Sequence, residues 1–297
     1  MAKQRRSLSG KVVAITGGAR GIGKATATAL VRKGCRVAIG DLDLGLAEQS
    51  AAGLGGGTVA LELDVTERAS FAAFLDETER QLGPLDVVVN NAGIMPVTAL
   101  VDESDDSIRR QLDINIYGVI VGTQLAIERM RPRGSGHIVN IASQAGKTAL
   151  PGIATYSGTK HAVVGINEAV RAELRGSGIE VHNVMPTLVN TELTAGLGQR
   201  LIKAVDAEDV ANEIVDALEV GRFDVYVPRE NAIMTRFSAL LPRRAGEAIA
   251  RLMKADKLMF EVDHGARRAY EERAAASEPG AEGGPTQEPA ATQRDAA

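Results

Sequence analysis

Residues 12–23 read VVAITGGARGIG, and this stretch decides the fold. A short apolar run, Val12–Thr16, passes directly into a glycine-rich turn, and an amphipathic helix is predicted next, over Ile22–Lys33. A side chain in such a turn would hold the backbone away from a phosphate, and the helix N-terminus offers free N–H groups to an anion. The order of strand, glycine turn and helix therefore predicts a dinucleotide-binding Rossmann fold.

The rest of the chain repeats this alternation of strand and helix. Six further apolar runs are continuous in hydrophobicity, as expected of strands that are buried on both faces of a parallel sheet. Helical patterns separate these runs, so we predict a doubly wound, seven-stranded parallel α/β sheet. The further strands are Arg36–Gly40, Val59–Leu63, Leu85–Asn90, His137–Ala142, Glu180–Met185 and Phe223–Pro228, and the further helices are Phe71–Leu82, Ser107–Arg129, Tyr156–Arg175 and Ala207–Val220.

The character of the sequence changes after the last predicted strand. Residues 1–228 form the predicted dinucleotide-binding and catalytic domain, and residues 229–276 form a C-terminal helical extension packed on it. The extension contains a basic amphipathic segment, residues 236–257. This segment fits a helix with a solvated basic face, but also a contact with an anionic membrane surface or a lid over an apolar substrate. Residues 277–297 are rich in Gly, Pro, Ala and Glu and are predicted to be disordered.

Composition restricts the function classes. Aromatic residues make up 3% of the 297 residues and the formal net charge is −4, so neither base stacking nor a basic field favours nucleic acid. We expect a small-molecule partner and no nucleic acid. The single cysteine, Cys35, fits a structural role and a reducing compartment. No stretch approaches the roughly 20 apolar residues of a membrane span, so a cytoplasmic location is expected.

Two charged residues near the glycine turn favour different cofactors. Asp41 ends the second strand, where a carboxylate accepts hydrogen bonds from the adenosine ribose and repels a 2′-phosphate, which favours NAD. Arg20 lies within the turn, where a guanidinium can pair with a 2′-phosphate and favours NADP. We give Asp41 more weight, because like-charge repulsion at close range is hard to relieve, whereas an exposed arginine can turn away. NAD is the predicted cofactor and NADP the less favoured one.

Three further segments follow the turn in a fixed order. The residues 90–93, Asn-Asn-Ala-Gly, close the fourth strand, Ser143 follows the fifth, and Tyr156 and Lys160 open the long helix after it. Each segment alone is weak evidence. Together they resemble the short-chain dehydrogenase/reductase family, whose motifs are a Thr-Gly-x-x-x-Gly-x-Gly turn, Asn-Asn-Ala-Gly, a serine and Tyr-x-x-x-Lys. The resemblance covers roughly residues 8–228 and implies hydride transfer between a nicotinamide cofactor and an alcohol or carbonyl group.

The resemblance implies four catalytic residues. Tyr156 would be the acid/base, Ser143 would bond the substrate oxygen, Asn115 would hold a water for proton relay, and Lys160 would bond the nicotinamide ribose. Lowering the tyrosine pKa from ~10 to ~7 needs about 4 kcal/mol. An ammonium ~5 Å away supplies roughly 3 kcal/mol at an effective dielectric of 20. Lys160 and the positive oxidised nicotinamide are therefore expected to account for most of the shift.

The resemblance also implies a cofactor cleft. The glycine turn would hold the pyrophosphate, Asp64 would accept from the adenine amine, and the segment after the sixth strand would hold the carboxamide. Thr187 in that segment stands where the family usually carries glycine. The implied cofactor-binding residues are Gly17, Arg20, Gly21, Ile22, Gly23, Asp41, Asp64, Val65, Asn91, Ala92, Gly93, Tyr156, Lys160, Pro186, Val189 and Thr191.

The predicted substrate pocket is apolar. A loop at Leu188–Val205 and two shorter segments supply its apolar side chains, so we predict an apolar secondary alcohol or ketone as substrate. The histidines fall in different predicted elements, so we assign them no catalytic or metal-binding role. The predicted pocket residues are Ile94, Met95, Ala149, Leu150, Leu193, Ala195, Leu197, Leu201 and Ile202, and the histidines are His137, His161, His182 and His264.

Two alternatives to this function stay open. The basic segment 236–257 favours an enzyme at a membrane surface that acts on a lipid, sterol or retinoid-type alcohol. A cofactor-binding protein without catalysis is disfavoured, because all four implied catalytic residues are present. The family analogy also implies a homodimer or homotetramer formed through the two long helices, Ser107–Arg129 and Tyr156–Arg175.

Overall fold

The computed structural model describes residues 5–196, 204–238, 242, 244 and 263–276. Nine strands are found among them: β1 (Val12–Thr16), β2 (Arg36–Asp41), β3 (Val59–Glu62), β4 (Val87–Asn90), β5 (Gly136–Ile141), β6 (Ile179–Pro186), β7 (Val189–Asn190), β8 (Val205–Asp206) and β9 (Asp224–Val227). Seven form one parallel sheet in the order β3-β2-β1-β4-β5-β6-β9, and β7 pairs with β8. The order reverses between β1 and β4, which makes the sheet doubly wound. The predicted fold class is confirmed.

Helices cover both faces of the sheet. They are α1 (Gly21–Arg32), α2 (Leu44–Leu54), α3 (Arg68–Leu82), α4 (Asp105–Leu112), α5 (Gly118–Met130), α6 (Ala154–Glu173), α7 (Ala207–Val220), α8 (Asn231–Ser238) and α9 (His264–Ala276). Within β1, Val13 and Ile15 face the core under α1 and α7. Val12 and Ala14 face the core under α3 and α5. Both faces are buried, which is why the strands show no alternation of apolar and polar residues.

Among the helices, α2 and the α4–α5 segment differ most from the predicted elements. Helix α2 was not predicted, because its buried face consists only of Ala47, Ser50 and Ala51, so its amphipathic signal is weak. The helix predicted over Ser107–Arg129 is interrupted by a π-helical turn, Asp113–Tyr117, which joins α4 to α5. Such turns are frequent at functional sites. The basic segment lies outside the described residues except at positions 236–238, 242 and 244, and the predicted disordered tail lies wholly outside them.

A chain of buried asparagines fixes α6 against the sheet. The Asn90 amide donates to Asn140 Oδ1 at 2.7 Å, and the Asn140 amide donates to Asn167 Oδ1 on α6 at 2.6 Å. The Asn167 amide in turn donates to Asn183 Oδ1 on β6 at 2.9 Å. Buried amides are stable only when they are paired, so this chain defines one position for α6. Tyr156, near the start of α6, is thereby held at the carboxyl ends of the strands.

Two histidines lie together in the structure, so the expectation that all of the histidines are scattered is wrong. His137 Nδ1 and His182 Nε2 lie 3.1 Å apart, because β5 and β6 are neighbours and Val139 stands opposite His182 in the register. The Arg222 carbonyl accepts from His182 Nδ1 at 2.7 Å, so His182 Nε2 is the acceptor and His137 Nδ1 the donor. Together with Glu180 they form a group that could hold a metal ion, but Arg6 already pairs with Glu180 at 2.6 Å. A neutral hydrogen-bonded pair explains the geometry.

This pair is expected to make the protein sensitive to acid. Burial, followed by the charge of His137, lowers the pKa of His182 from 6.5 to about 4. Below pH 6.5 the unfolded chain takes up a proton that the folded chain does not, so stability is lost as the pH falls from 6.5 towards 4. Between pH 7.5 and pH 5 the loss from His182 is about 2 kcal/mol.

Urea unfolding at several pH values measures this loss. His182→Gln removes the titrating group and is expected to flatten the fall in the free energy of unfolding between pH 7.5 and pH 5. His161→Gln is the matched control, because His161 lies in another element, on α6. An unchanged slope in His182→Gln would contradict the assignment.

Candidate active site

Glycine is required at three positions of the turn after β1. Gly17 and Gly21 have φ of +62° and +52°, the left-handed region that favours glycine. A Cβ on Gly23 would lie 2.2 Å from the Gly17 carbonyl oxygen and 2.7 Å from Asn91 Nδ2. The first turn of α1 therefore packs directly on the loop before it.

The end of β4 holds the turn in place. The Asn91 amide donates to the carbonyl oxygens of Thr16 and Gly17, both at 2.9 Å. The Thr16 hydroxyl accepts from the backbone N–H groups of Asn91 and Ala92, both at 3.0 Å. Asn91 and Ala92, both predicted to bind the cofactor, thus clamp β1 to β4 at the point where the strand order reverses. Gly93 lies next to this clamp, beside Asn115 and Lys160.

The start of α1 fits a phosphate group. Its N-cap residue, Arg20, makes no side-chain capping bond, and the first turn contains no acidic residue. The N–H groups of Gly21, Ile22 and Gly23 are therefore left for an anion, and the helix dipole favours negative charge there. The Thr191 side chain lies beside Gly21, since a Cβ on Gly21 would be 3.4 Å from Thr191 Cγ2. The residues present fit the pyrophosphate of a dinucleotide.

Three carboxylates lie at the glycine turn and around Arg20. Asp41 Oδ2 accepts from the Ala19 N–H at 3.1 Å, which places this carboxylate against the glycine turn. Arg20 is paired with Asp43 and with Glu192, each at 3.2 Å. The guanidinium that could favour a 2′-phosphate is therefore already neutralised. Asp43 and Glu192 were not among the predicted site residues, because no local motif predicts that they pair with Arg20.

The remaining predicted cofactor residues lie at the same edge of the sheet. Asp64 Oδ1 accepts from the backbone and the hydroxyl of Thr66, at 2.8 and 2.7 Å. Val65 is buried against Gly118, at the start of α5. Pro186 ends β6 and Val189 is buried on β7. Beyond Pro186, the Thr187 N–H donates to the Val227 carbonyl at 2.9 Å, so a residue other than glycine continues the ladder with β9.

Tyr156, Ser143 and Lys160 are brought together on the other side of this cleft. The Ser143 side chain lies close enough to the Tyr156 hydroxyl to lower the pKa of that hydroxyl. Lys160 lies one helical turn further on, with its ammonium 5.6 Å from the centre of the Tyr156 ring. Lys160 as a whole is 4% exposed, and its ammonium donates to the Ile141 carbonyl at 2.8 Å. A lysine has three donors, so further N–H groups are left for a ribose hydroxyl.

The pKa of Tyr156 lies above the value of ~10 from which the sequence reasoning started. Burial raises it to about 12, while Ser143 has a smaller lowering effect. Burial also lowers the pKa of Lys160 to about 8. Bringing Tyr156 from 12 to ~7 needs about 7 kcal/mol. The Lys160 ammonium, 5.6 Å from the ring centre, is already in place at this pKa, so its charge alone does not bring the pKa of Tyr156 to ~7. A bound oxidised nicotinamide would add positive charge that favours the phenolate.

Asn115 lies in the π-helical turn and anchors the loop after β4. Its amide oxygen accepts from the Ile94 N–H, and its amide nitrogen donates to the Ile94 carbonyl, both at 2.9 Å. The same nitrogen donates to the Thr159 hydroxyl at 3.2 Å, and that hydroxyl donates to the Tyr156 carbonyl at 2.7 Å. The side chain therefore connects the loop to the helix that carries Tyr156. Its role in a proton relay stays a prediction.

An apolar cluster encloses the Tyr156 ring. Three of its eight members, Met95, Leu150 and Leu193, are predicted pocket residues. Ile94 is instead buried in the core under α5, and Ala149 is exposed. The predicted pocket residues Leu197, Leu201 and Ile202 lie outside the described residues. The cluster consists of Met95, Ala145, Ile153 and Tyr156, with Val97, Leu150, Leu188 and Leu193 packed against it.

Helix α9 forms a further side of the site, and no local sequence pattern predicts its contacts. Two residues of this helix, Arg267 and Tyr270, contact the loops on either side of the apolar cluster. These contacts span up to 175 residues of chain, so no local pattern predicts them. Among the helices that the structure describes, none is long and apolar enough to cross a membrane.

Comparison with known proteins identifies the family of this chain. The family model for short chain dehydrogenases matches residues 11–201. A 2-(S)-hydroxypropyl-CoM dehydrogenase from Xanthobacter autotrophicus is 37% identical over 219 residues, 73% of this chain and 85% of that protein. The 17-beta-hydroxysteroid dehydrogenase 13 of Rattus norvegicus is 30% identical over 271 residues, 89% of each chain.

A solved structure gives the same result. A short chain dehydrogenase/reductase from Burkholderia phymatum in complex with NAD superposes with a TM-score of 0.73 at 25% identity, over 78% of this chain and 93% of that one. The matched family region contains the glycine turn, Ser143, Tyr156 and Lys160. The chain therefore belongs to the short-chain dehydrogenase/reductase family and is an NAD(P)-dependent oxidoreductase that acts on CH–OH groups.

Proposed function

We propose that this enzyme interconverts an apolar secondary alcohol and its ketone, with NAD as cofactor and Tyr156 as the acid/base. One observation carries the proposal: Tyr156 stands inside an apolar cluster, with Ser143 next to its hydroxyl and the Lys160 ammonium 5.6 Å from the centre of its ring. A hydroxyl group of the substrate that enters this cluster meets one group that can take its proton and one that can orient its oxygen.

The chain's own residues then perform the proton chemistry. Ser143 holds the substrate oxygen, and Tyr156 takes the hydroxyl proton in oxidation or returns it in reduction. Lys160 keeps a positive charge beside the phenolate, where low dielectric strengthens the attraction. Met95, Ile153 and Leu193 exclude water from the reacting carbon. When bound, the nicotinamide supplies the hydride acceptor or donor.

The carboxylates around Arg20 support NAD as the preferred cofactor. A 2′-phosphate would be placed near Asp41 and Asp43, and the Arg20 charge is already shared with Asp43 and Glu192. A phosphate would therefore have to compete with two carboxylates for that guanidinium. The structure of the Burkholderia phymatum relative contains NAD, which agrees with this preference.

Titration calorimetry with NAD and NADP tests the cofactor preference. We expect the wild-type protein to bind NAD about fivefold or more tighter than NADP, since one repulsive contact at close range costs about 1 kcal/mol or more. Asp41→Ala should narrow this gap, mainly by improving NADP binding. Asp102→Ala, an exposed aspartate outside the cleft, is the control and should leave both affinities unchanged. Tighter binding of NADP by the wild-type protein would show that Arg20 outweighs Asp41.

The relatives support a secondary alcohol as substrate. The name of the Xanthobacter autotrophicus enzyme specifies a 2-hydroxypropyl group, and that of a Mycobacterium tuberculosis relative a 3-alpha- or 20-beta-hydroxysteroid. In each case the hydroxyl group stands on a secondary carbon. The apolar lining of the cluster around Tyr156 favours an apolar body next to that carbon.

A membrane-surface enzyme that acts on a lipid, sterol or retinoid-type alcohol is the second candidate. Helix α8 exposes Ile233, Met234 and Phe237, with exposed fractions of 76%, 68% and 66%. The basic segment 236–257 overlaps the end of this helix in the sequence, and such a combination is typical of interfacial helices. Co-sedimentation with anionic liposomes, with and without the residues from Arg236 onward, discriminates the two candidates.

The family analogy and the surface of the long helices support a homodimer or homotetramer. Leu112 and Tyr117, on the segment that joins α4 and α5, are each 43% exposed, and Gly158 and Gly165 on α6 face open space.

A cytoplasmic location is supported by Cys35, a buried thiol. Burial raises the pKa of this thiol to about 11, and it donates to the Leu8 carbonyl. Such a thiol is structural and unreactive.

A further inference from the structure

Helix α9 is attached to both loops that flank Tyr156. The Met95 N–H, in the loop after β4, donates to the Tyr270 hydroxyl at 2.7 Å. In the loop after β7, Glu192 pairs with Arg273 at 2.5 Å. Met95 itself belongs to the apolar cluster around Tyr156. The helix therefore contacts the outer boundary of the proposed substrate pocket.

Arg267 makes this attachment rigid. Its side chain is fully buried, and its guanidinium donates to the carbonyls of Leu193 and Ala195, at 2.9 and 3.3 Å, and to that of Met95. Its Nε lies 3.0 Å from a Glu271 carboxylate oxygen. A buried guanidinium is stable only when its N–H groups and its charge have partners. Because the carbonyls come from two separate loops, Arg267 holds both loops and the helix in one arrangement.

Tyr270 stands between the apolar cluster and a groove outside it. The groove has a volume of about 310 Å³ and is lined by Tyr270, Val97 and Ala274, among others. Val97 also packs against the apolar cluster, so the groove and the cluster are neighbours. The Tyr270 ring is held from both sides, by the Met95 N–H at its hydroxyl and by the Arg267 guanidinium 4.9 Å from its centre.

We propose that Tyr270 determines specificity, its ring closing the outer end of the substrate pocket and limiting substrate length, and that Arg267 is the positioning residue that holds it there. The inference rests on the proposed function, because it takes the apolar cluster around Tyr156 as the place where the substrate binds. Removing the ring joins the cluster to the groove, so a longer apolar alcohol gains room.

Steady-state kinetics on secondary alcohols from 2-butanol to 2-dodecanol test the proposal. Tyr270→Ala is expected to raise the ratio of kcat/KM for the longest alcohol to that for the shortest about tenfold or more, a usual effect of pocket size. Tyr270→Phe keeps the ring and should stay within about threefold of the wild-type ratio. Arg267→Met should move the ratio in the same direction as Tyr270→Ala. Arg268→Met, an exposed neighbour on α9, is the control and should leave it unchanged.

Amide hydrogen exchange adds a readout that does not depend on turnover. In Arg267→Met we expect residues 93–96 and 193–196 to exchange about tenfold faster or more, because their carbonyls lose a shared partner. NAD binding by calorimetry checks that each variant is folded.

If the wild-type protein binds NAD but oxidises none of the alcohols, the proposed function is wrong, and so is the proposed substrate pocket. Normal oxidation with an unchanged length ratio in Tyr270→Ala overturns only the role of Tyr270, and unchanged exchange in Arg267→Met overturns that of Arg267.

Discussion

Tyr156→Phe is expected to lower kcat/KM for alcohol oxidation about 10²- to 10⁴-fold, the usual contribution of a general acid–base group. Only the hydroxyl is removed, and the ring that packs with Met95, Ala145 and Ile153 is retained. Ser143 keeps its hydrogen bond from the Ala145 N–H at 3.0 Å, so the loop around it is not released. The loss should therefore appear in kcat, with the affinity for NAD within about threefold of wild type.

Stopped-flow or steady-state measurement of NADH formation, combined with calorimetry for NAD, checks this prediction. Tyr117→Phe is the matched control, because Tyr117 is 43% exposed and lies outside the apolar cluster. It should retain wild-type kinetics. If Tyr156→Phe keeps more than about a tenth of the wild-type kcat, Tyr156 is not the acid/base.

Short-range motifs explain why the fold and most of the cleft are predictable from sequence. The glycine turn, the Asn-Asn-Ala-Gly segment and the Tyr156–Lys160 spacing each lie within one strand end or one helical turn, so local chemistry is enough to define them. The continuous apolar strands identify a sheet buried on both faces. Helix α2 escapes this reasoning, because its short side chains and two glycines give little periodic signal.

Contacts between distant segments are what the sequence does not predict. His137 and His182 meet only because β5 and β6 pair in one register. Arg267 reaches Met95 and Leu193 across 172 and 74 residues. Neither arrangement follows from periodicity or spacing, since each depends on how complete elements pack.

Burial is the other quantity that a sequence leaves open. The spacing of Tyr156 and Lys160 predicts that the ammonium stabilises the phenolate. It does not predict that the tyrosine is buried, which raises the pKa of Tyr156 to about 12. The sequence thus predicts the residues of the site and the direction of the Lys160 effect, but it underestimates the free energy that ionisation of Tyr156 requires.

Lys160→Met is expected to move the pH dependence of alcohol oxidation upward by about two units and to lower kcat/KM near neutral pH about 100-fold. Oxidation requires the phenolate of Tyr156, and the ammonium 5.6 Å from its ring stabilises that form. Without the ammonium the pKa of Tyr156 rises further, so the active form appears only at higher pH. Ketone reduction requires the phenol instead, and it should therefore persist to higher pH in this variant.

The profile of kcat/KM from pH 6 to pH 11, measured in both directions, separates this charge effect from a packing effect. Methionine preserves much of the side-chain length but loses the bond to the Ile141 carbonyl, so a structural defect alone would lower both rates equally at every pH. Lys147→Met is the control, because Lys147 pairs with Glu168 at 3.2 Å outside the apolar cluster. Opposite changes up to about pH 8, the pKa to which burial lowers Lys160, with oxidation delayed and reduction extended, follow only if Lys160 acts on the proton of Tyr156. If kcat/KM in Lys160→Met is lower at every pH but the pH dependence does not shift, Lys160 acts only by binding the ribose.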